Sequence, residues 1–135
     1  MTTSPVPTPR TWRDEIAVAR RLAEQDPDNL ERQRELAIAC ASIGDRLLDE
    51  GLAGEAVDAY RTSLAIHEGL AANDPDDMHR QRDVFTGYDR LANALLQAGE
   101  HDEGFQAHRN GFAVRERLPE VERESRQWRD RYFSL

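Results

Sequence analysis

Hydrophobic side chains recur along this chain at steps of three and four residues, and no segment sustains the two-residue alternation of a strand. The spacing predicts six antiparallel helices, at residues 11–25, 28–50, 54–73, 76–98, 102–117 and 119–133. Gly51 and Gly99 interrupt the pattern where a residue in the left-handed region would close one helix before the next begins. Asp26-Pro27-Asp28 and Asp74-Pro75-Asp76 mark the other boundaries. There the first Asp is placed to cap the following helix, Pro fits its first turn, and acidic groups favour the positive end of the helix dipole. Toward the C-terminus Leu118, Val121, Ser125, Trp128, Tyr132 and Leu135 form a one-sided stripe, which predicts a capping helix laid over Phe105 and Phe112.

The pattern is also periodic over a longer distance. A shift of 48 residues lays Leu22–Gly69 on Leu70–Arg117 without a gap, and about a third of the paired positions are identical. Asp-Pro-Asp falls on Asp-Pro-Asp, Arg32-Gln33-Arg34 on Arg80-Gln81-Arg82, Leu47-Leu48 on Leu95-Leu96 and Gly51 on Gly99. A period of this size marks an array in which neighbouring units bury one another's faces. Each unit is a helical hairpin. The expected organisation is a flexible tail over 1–10 and one domain over 11–135. That domain divides into a half repeat 11–27, repeats 28–75 and 76–117, and a capping helix 118–135.

Ile43-Gly44, Leu47, Gly51, Ala56, Tyr60 and Leu64 keep the spacing of a known signature, and Leu91-Ala92, Leu95, Gly99, Gly104, His108 and Phe112 repeat it. These residues resemble the tetratricopeptide repeat (TPR) family. The resemblance covers 15–118 and implies an all-α, right-handed superhelix of antiparallel hairpins. Small residues at Gly44, Ala92, Ala56 and Gly104 would let paired helices approach closely. The period here is longer than the family's usual 34 or so residues. Ser63 and Gly111 stand where the family has Ala, and the family's Pro arrives late. The additional residues amount to about four helical turns, so two more turns on each adjoining helix end keep the same faces inward. Long-period repeats of this kind occur in bacterial tandem arrays.

Composition narrows the chemistry. With 39% hydrophobic, 7% aromatic and 33% charged residues in 135, this is the make-up of amphipathic helices without a membrane span. All 18 basic residues are Arg, so Schiff-base chemistry, a Walker-type phosphate lysine and a lysine general base are excluded. Lone Cys40 permits neither an intramolecular disulfide nor a multi-cysteine zinc site, and it is expected to be a buried, inert thiol between helices. Residues 1–10 carry no apolar run of signal-peptide length, and the expected location is the cytoplasm. A net charge of -8 argues against nucleic acid as a partner.

The resemblance implies that one helix of each unit lines a concave face. Arg34, Ile38, Ala41, Asp45 and Asp49 would come from the first unit, and Arg82, Thr86, Asp89, Asn93 and Gln97 from the second. Arginines at one end of the strip and aspartates toward the other would suit an extended or helical peptide of opposite polarity. The family's carboxylate clamp is not reproduced, because Ala41 and Asp45 occupy two of its positions. His67, His79, His101 and His108 lack metal-ligand spacing, and His108 is expected in or near the core at the place of Tyr60. No metal, cofactor or catalytic constellation is expected.

Two functions fit these residues. The first is a non-catalytic protein-protein interaction module, a small adaptor or accessory subunit that binds a peptide or helix of another protein in the concave groove. The alternative is a small helical enzyme or ligand carrier with Asp45, Asp89, Arg34 and Arg82 clustered between helices. Trp128, Tyr132 and Phe133 are possible homodimer contacts, and Trp12 is a candidate exposed anchor at the opposite end.

Overall fold

A computed structural model describes residues 9–118, and every regular element among them is an α-helix. The helices are α1 (Pro9–Gln25), α2 (Leu30–Asp49), α3 (Ala53–Asn73), α4 (Met78–Gln97) and α5 (His101–Glu116). Residues 1–8 of the expected tail, the sixth helix at 119–133 and the dimer contacts Trp128, Tyr132 and Phe133 lie outside the described residues, while residues 9 and 10, assigned to the tail, begin α1. Among the described residues no helix is long and apolar enough to cross a membrane.

Gly51 and Gly99 close α2 and α4 as the sequence predicts, with φ of 80° and 86°. In both places the backbone reverses through the same pair of bonds. Leu52 N donates to Leu47 O and Gly51 N to Leu48 O, and Glu100 N donates to Leu95 O and Gly99 N to Leu96 O. This is the Schellman arrangement, in which a left-handed glycine lets two otherwise orphaned carbonyls be satisfied.

The Asp-Pro-Asp segments work differently from the expectation. Asp26 and Asp74 do not cap. Instead Asn29 N donates to Asp26 O at 3.2 Å and Asp77 N to Asp74 O at 3.1 Å, which places Pro27 and Pro75 second in a tight turn. The caps come three residues after each Asp. The Asn29 side chain accepts from Arg32 N at 3.1 Å, and Asp77 accepts from His79 N at 2.9 Å. A fixed proline φ suits the turn as well as it suits a first helical position, so α2 and α4 start two residues later than predicted.

The repeated Arg-Gln-Arg segments tie each of these starts to the helix before it. Buried Gln33 donates from Nε2 to Ala23 O at 2.7 Å and to Asp26 O at 3.0 Å, satisfying carbonyls at the end of α1. In the second unit Arg80 takes over, donating to Leu70 O at 3.0 Å, while Gln81 reaches only Pro75 O.

Each helix from α2 onward packs most extensively on its neighbours in sequence, and α1 lies against both α2 and α3. One apolar cluster runs the length of the described residues, from Trp12 and Ile16 through Leu47, Tyr60, Leu64 and Leu95 to Val114. Trp12, a candidate exposed anchor, is thus a core residue at 2% exposure. It sits one turn before Ile16 on the inner stripe of α1 and packs in the same cluster. His108 departs in the opposite direction and is exposed. Phe105 and Phe112 are 52% and 56% exposed.

Close approach between helices rests on glycine set against bulk. A Cβ on Gly44 would lie 2.6 Å from the Tyr60 ring, one on Gly87 2.9 Å from Leu64, and one on Gly104 2.8 Å from Leu96. Cys40 is fully buried in a smaller cluster with Ala19 and Leu36. Burial pushes its thiol up to about 11, with Arg20 acting in the opposite sense, as befits the inert thiol expected.

Candidate functional site

Helices α2 and α4 both pack on α3, and the cleft between them is floored by it. The cleft holds a cavity of about 200 Å³. From α2 come Ile38, Ala41, Ser42 and Asp45; from α3, Tyr60, Ser63 and His67; from α4, Asp83, Thr86, Gly87 and Arg90. Small side chains at Ala41, Ser63 and Gly87 make the room. Ile38 stands at the lip with 46% of its surface exposed.

Of the residues predicted to line a concave face, the cavity gathers Ile38, Ala41, Asp45 and Thr86. Arg34 is connected to it through Asp83, at 3.4 Å. The other five are elsewhere. Asp49, Asn93 and Gln97 are exposed and Arg82 is half-buried beside His79. Asp89 is half-buried with its carboxyl held above the usual carboxylate range by desolvation, against the pull of His108 and Arg90. His108 belongs to α5, so Asp89 faces away from α2.

The miss has a geometric cause. A cleft between two helices on the same side of a third is lined by opposite flanks of those two helices. Repeat-equivalent positions therefore meet it unequally: Ile38 and Thr86 both line the cavity, as do Ser42 and Arg90, whereas Ala41 and Asp45 line it and their equivalents Asp89 and Asn93 do not. On α4 the lining runs through Asp83, Thr86, Gly87 and Arg90, so it keeps Thr86 and is otherwise turned by about 100° from the predicted Arg82 and Asp89. Tyr60, Ser63 and His67 are not among the residues predicted for the concave face, yet the i, i+4 spacing of Ser63 and His67 signals their shared face.

The two carboxylates of the cavity find partners in its wall and at its edge. The Tyr60 hydroxyl donates to Asp45 Oδ1 at 2.5 Å, and the phenol is pushed far up by burial, this hydrogen bond and the Asp45 charge. Asp83 lies 3.4 Å from Arg34 Nε and 3.9 Å from His67 Nδ1. His67 is 7% exposed, and burial holds it below the usual histidine range despite the opposing Asp83, with Arg34 and Arg90 adding to the depression. Its Nδ1 has no hydrogen-bond partner. Arg90 lines the cavity and makes neither an ion pair nor a hydrogen bond with the described residues.

Ser63, His67 and Asp83 are residue types that elsewhere form a nucleophilic triad, but the hydroxyl is committed otherwise. Ser63 Oγ donates to Ala37 O at 2.7 Å, and the serine is 1% exposed. A base must stand within hydrogen-bond reach of the proton it removes, and here a backbone carbonyl occupies that place. Among the described residues no three His, Cys, Asp or Glu side chains converge as metal donors.

Two larger grooves lie outside the cleft, of about 550 and 440 Å³. They are repeat copies of each other. The smaller is bounded by Ala23, Pro27, Leu30, Gln33, Ala65 and Ile66, and the larger by Ala71, Pro75, Met78, Gln81, Ala113 and Val114. Arg20 crosses the smaller one to reach Thr62 Oγ1 at 2.8 Å. Both arise wherever α1 and α3, or α3 and α5, diverge past the turn between them. Compared with protein-family models, with curated proteins and with solved structures, the sequence and fold match none.

Proposed function

We propose that the protein is a non-catalytic protein-interaction module, a small adaptor or accessory subunit, that takes a peptide or helix of another protein in the cleft between α2 and α4. In this reading the array is a tetratricopeptide-like right-handed superhelix of about six helices. One observation carries the proposal: an exposed isoleucine, Ile38, sits on the lip of a cavity walled by small residues and sized for a single side chain. Apolar anchors beside side-chain pockets are what concentrate binding energy in protein interfaces. At about 200 Å³ the cavity is below the roughly 300–1,000 Å³ of small-molecule sites.

The test begins with peptides selected from a random display library on the full-length protein. Ile38→Arg and Ser42→Arg, both on exposed residues of the cleft, should weaken the selected peptides at least tenfold. Asp58→Arg, on the exposed side of α3, should leave them unchanged. Circular dichroism melts should be alike for all three. Equal losses from all three variants would reject a cleft site.

A further inference from the structure

We propose that the cleft recognises a carboxylate of the bound segment, either an acidic side group or the terminal carboxyl, through Arg90 assisted by His67. The inference rests on the cleft being the binding surface and specifies what enters it.

Hydrogen-bond accounting in the cavity decides the chemistry. Each of its acidic groups is engaged, Asp45 by the Tyr60 hydroxyl and Asp83 by Arg34. Ser63 is engaged by Ala37 O. The donors left over are the exposed Ser42 hydroxyl, the Arg90 guanidinium and, deepest, the Nδ1 of His67, whose side chain is 9% exposed in the cavity wall. The nearest oxygen of Asp83 is 3.9 Å from that nitrogen, beyond hydrogen-bond distance. Donors without acceptors in a partly desolvated space are costly, and a ligand that supplies acceptors recovers the cost.

The shape of the acceptor follows. A guanidinium presents parallel N–H groups that match the two oxygens of a carboxylate. Asp45 and Asp83 in the same walls oppose any doubly charged anion, so a phosphate group is disfavoured against a single carboxylate that meets the Arg90 fork. A cationic ligand would have to face Arg90 in the same space. The site is particular to this junction. Repeat equivalents of Arg90 and His67 are Ser42 and Ala19 on one side, and no other pair of helices among the described residues sets an arginine beside a buried histidine in this way.

The experiment uses the full-length ¹⁵N-labelled protein and four capped probes. N-acetyl-glutamate amide carries a side-chain carboxylate, N-acetyl-glycine a terminal one, N-acetyl-glutamine amide neither, and N-acetyl-lysine amide a cation. Saturable shifts of the Arg90 Nε–H signal and the Gly87 and Ser42 amides are expected with the first two probes. The relative strength of those two assigns the source of the carboxylate. The glutamine probe should bind at least tenfold more weakly. Arg90→Gln should abolish the shifts with an unchanged melting curve, and Arg90→Lys, which keeps the charge without the fork, should restore part of them.

Equal binding of the glutamine or lysine probe, or undiminished carboxylate binding by Arg90→Gln, overturns the inference. The two levels of the reading separate cleanly. If selected peptides occupy the cleft but acid-free peptides bind as well and Arg90→Gln is silent, the carboxylate inference fails and the cleft stands. If the carboxylate probes bind and no peptide shifts the cleft amides, the peptide reading fails and the carboxylate site stands.

Discussion

Replacing Gly44 by alanine adds one methyl group at a close contact between α2 and α3. The new Cβ would fall 2.6 Å from Tyr60 Cε1, 2.8 Å from Cδ1 and 3.0 Å from Cζ. Carbon atoms prefer roughly 3.5–4.0 Å, so the overlap is about 1 Å. The ring cannot simply slide, because Tyr60 is 3% exposed and its hydroxyl is held by Asp45. Overpacking of this kind costs about 1–3 kcal/mol. Displacing the ring also puts at risk a charge-assisted hydrogen bond, of a type worth about 1.5–3 kcal/mol. Against this, alanine in a helix interior gains about 1 kcal/mol over glycine. The expected net loss is therefore about 1–3 kcal/mol, each kcal/mol lowering Tm by about 4 °C in a domain of this size. In a Tyr60→Ala background the obstruction is gone and only the propensity gain remains, so the same Gly44→Ala change should become stabilising by about 0.5–1 kcal/mol. Thermal and urea melts of the four proteins, followed by far-ultraviolet circular dichroism, measure both values. An alanine that stabilises the wild type, or destabilises both backgrounds equally, would refute the contact as the reason for glycine.

Three further outcomes are expected. His67 has a folded pKa below its unfolded value of about 6.5, so the unfolded state binds the proton first, and its contribution to stability is complete above that value and lost as pH falls below it. Arg34 of α2 and Asp83 and Arg90 of α4 face this imidazole. The drop in urea midpoint between about pH 7.5 and pH 5.5 should be smaller in His67→Leu than in the wild type, and an equal drop in both would exclude His67 as the cause. Cys40, fully buried with its thiol at about 11, should resist a thiol-specific aromatic disulfide reagent at about pH 8 and react fully in urea, whereas fast reaction of the native protein would place it at the surface. Gln33→Leu leaves Ala23 O and Asp26 O without their side-chain donor and should cost about 1–3 kcal/mol, while Gln81→Leu, with one bond at 3.2 Å to Pro75 O, should cost less; urea midpoints of the two decide.

Local rules carried most of the fold. Helical periodicity and the two glycines placed α2 through α5 within two residues of where they lie, because a left-handed residue leaves little freedom in where a helix stops. The starts were less legible, since Asp, Asn and Pro serve a turn and a cap equally well and only the three-dimensional path selects between them. Half the candidate site could be seen. On α2 the strip of Ile38, Ala41 and Asp45 is found in the cleft. On α4 the repeat itself misled, because it equates positions whose surroundings differ. The burial of Trp12 and the exposure of His108 fall in the same class: both depend on what neighbouring helices cover, which periodicity along one helix does not encode.

The pairing of glycine with bulk also bears on how many repeats such a gene can carry. Across the two units the large and small partners are traded. Gly44 faces Tyr60 where Ala92 has the exposed His108 as its counterpart, and Gly111 faces Tyr88 where Ser63 has Cys40. Unequal crossing-over between the homologous stretches would join mismatched halves. Loss of one unit would set α2 against α5, bringing Cys40 to Gly111 and leaving a void where an aromatic ring belongs. Gain of one would set α4 against a second α3, driving Ala92 into the ring of Tyr60. A chain joined at the Gly51 and Gly99 turns therefore begins with a packing defect, and the two hairpins are not interchangeable halves.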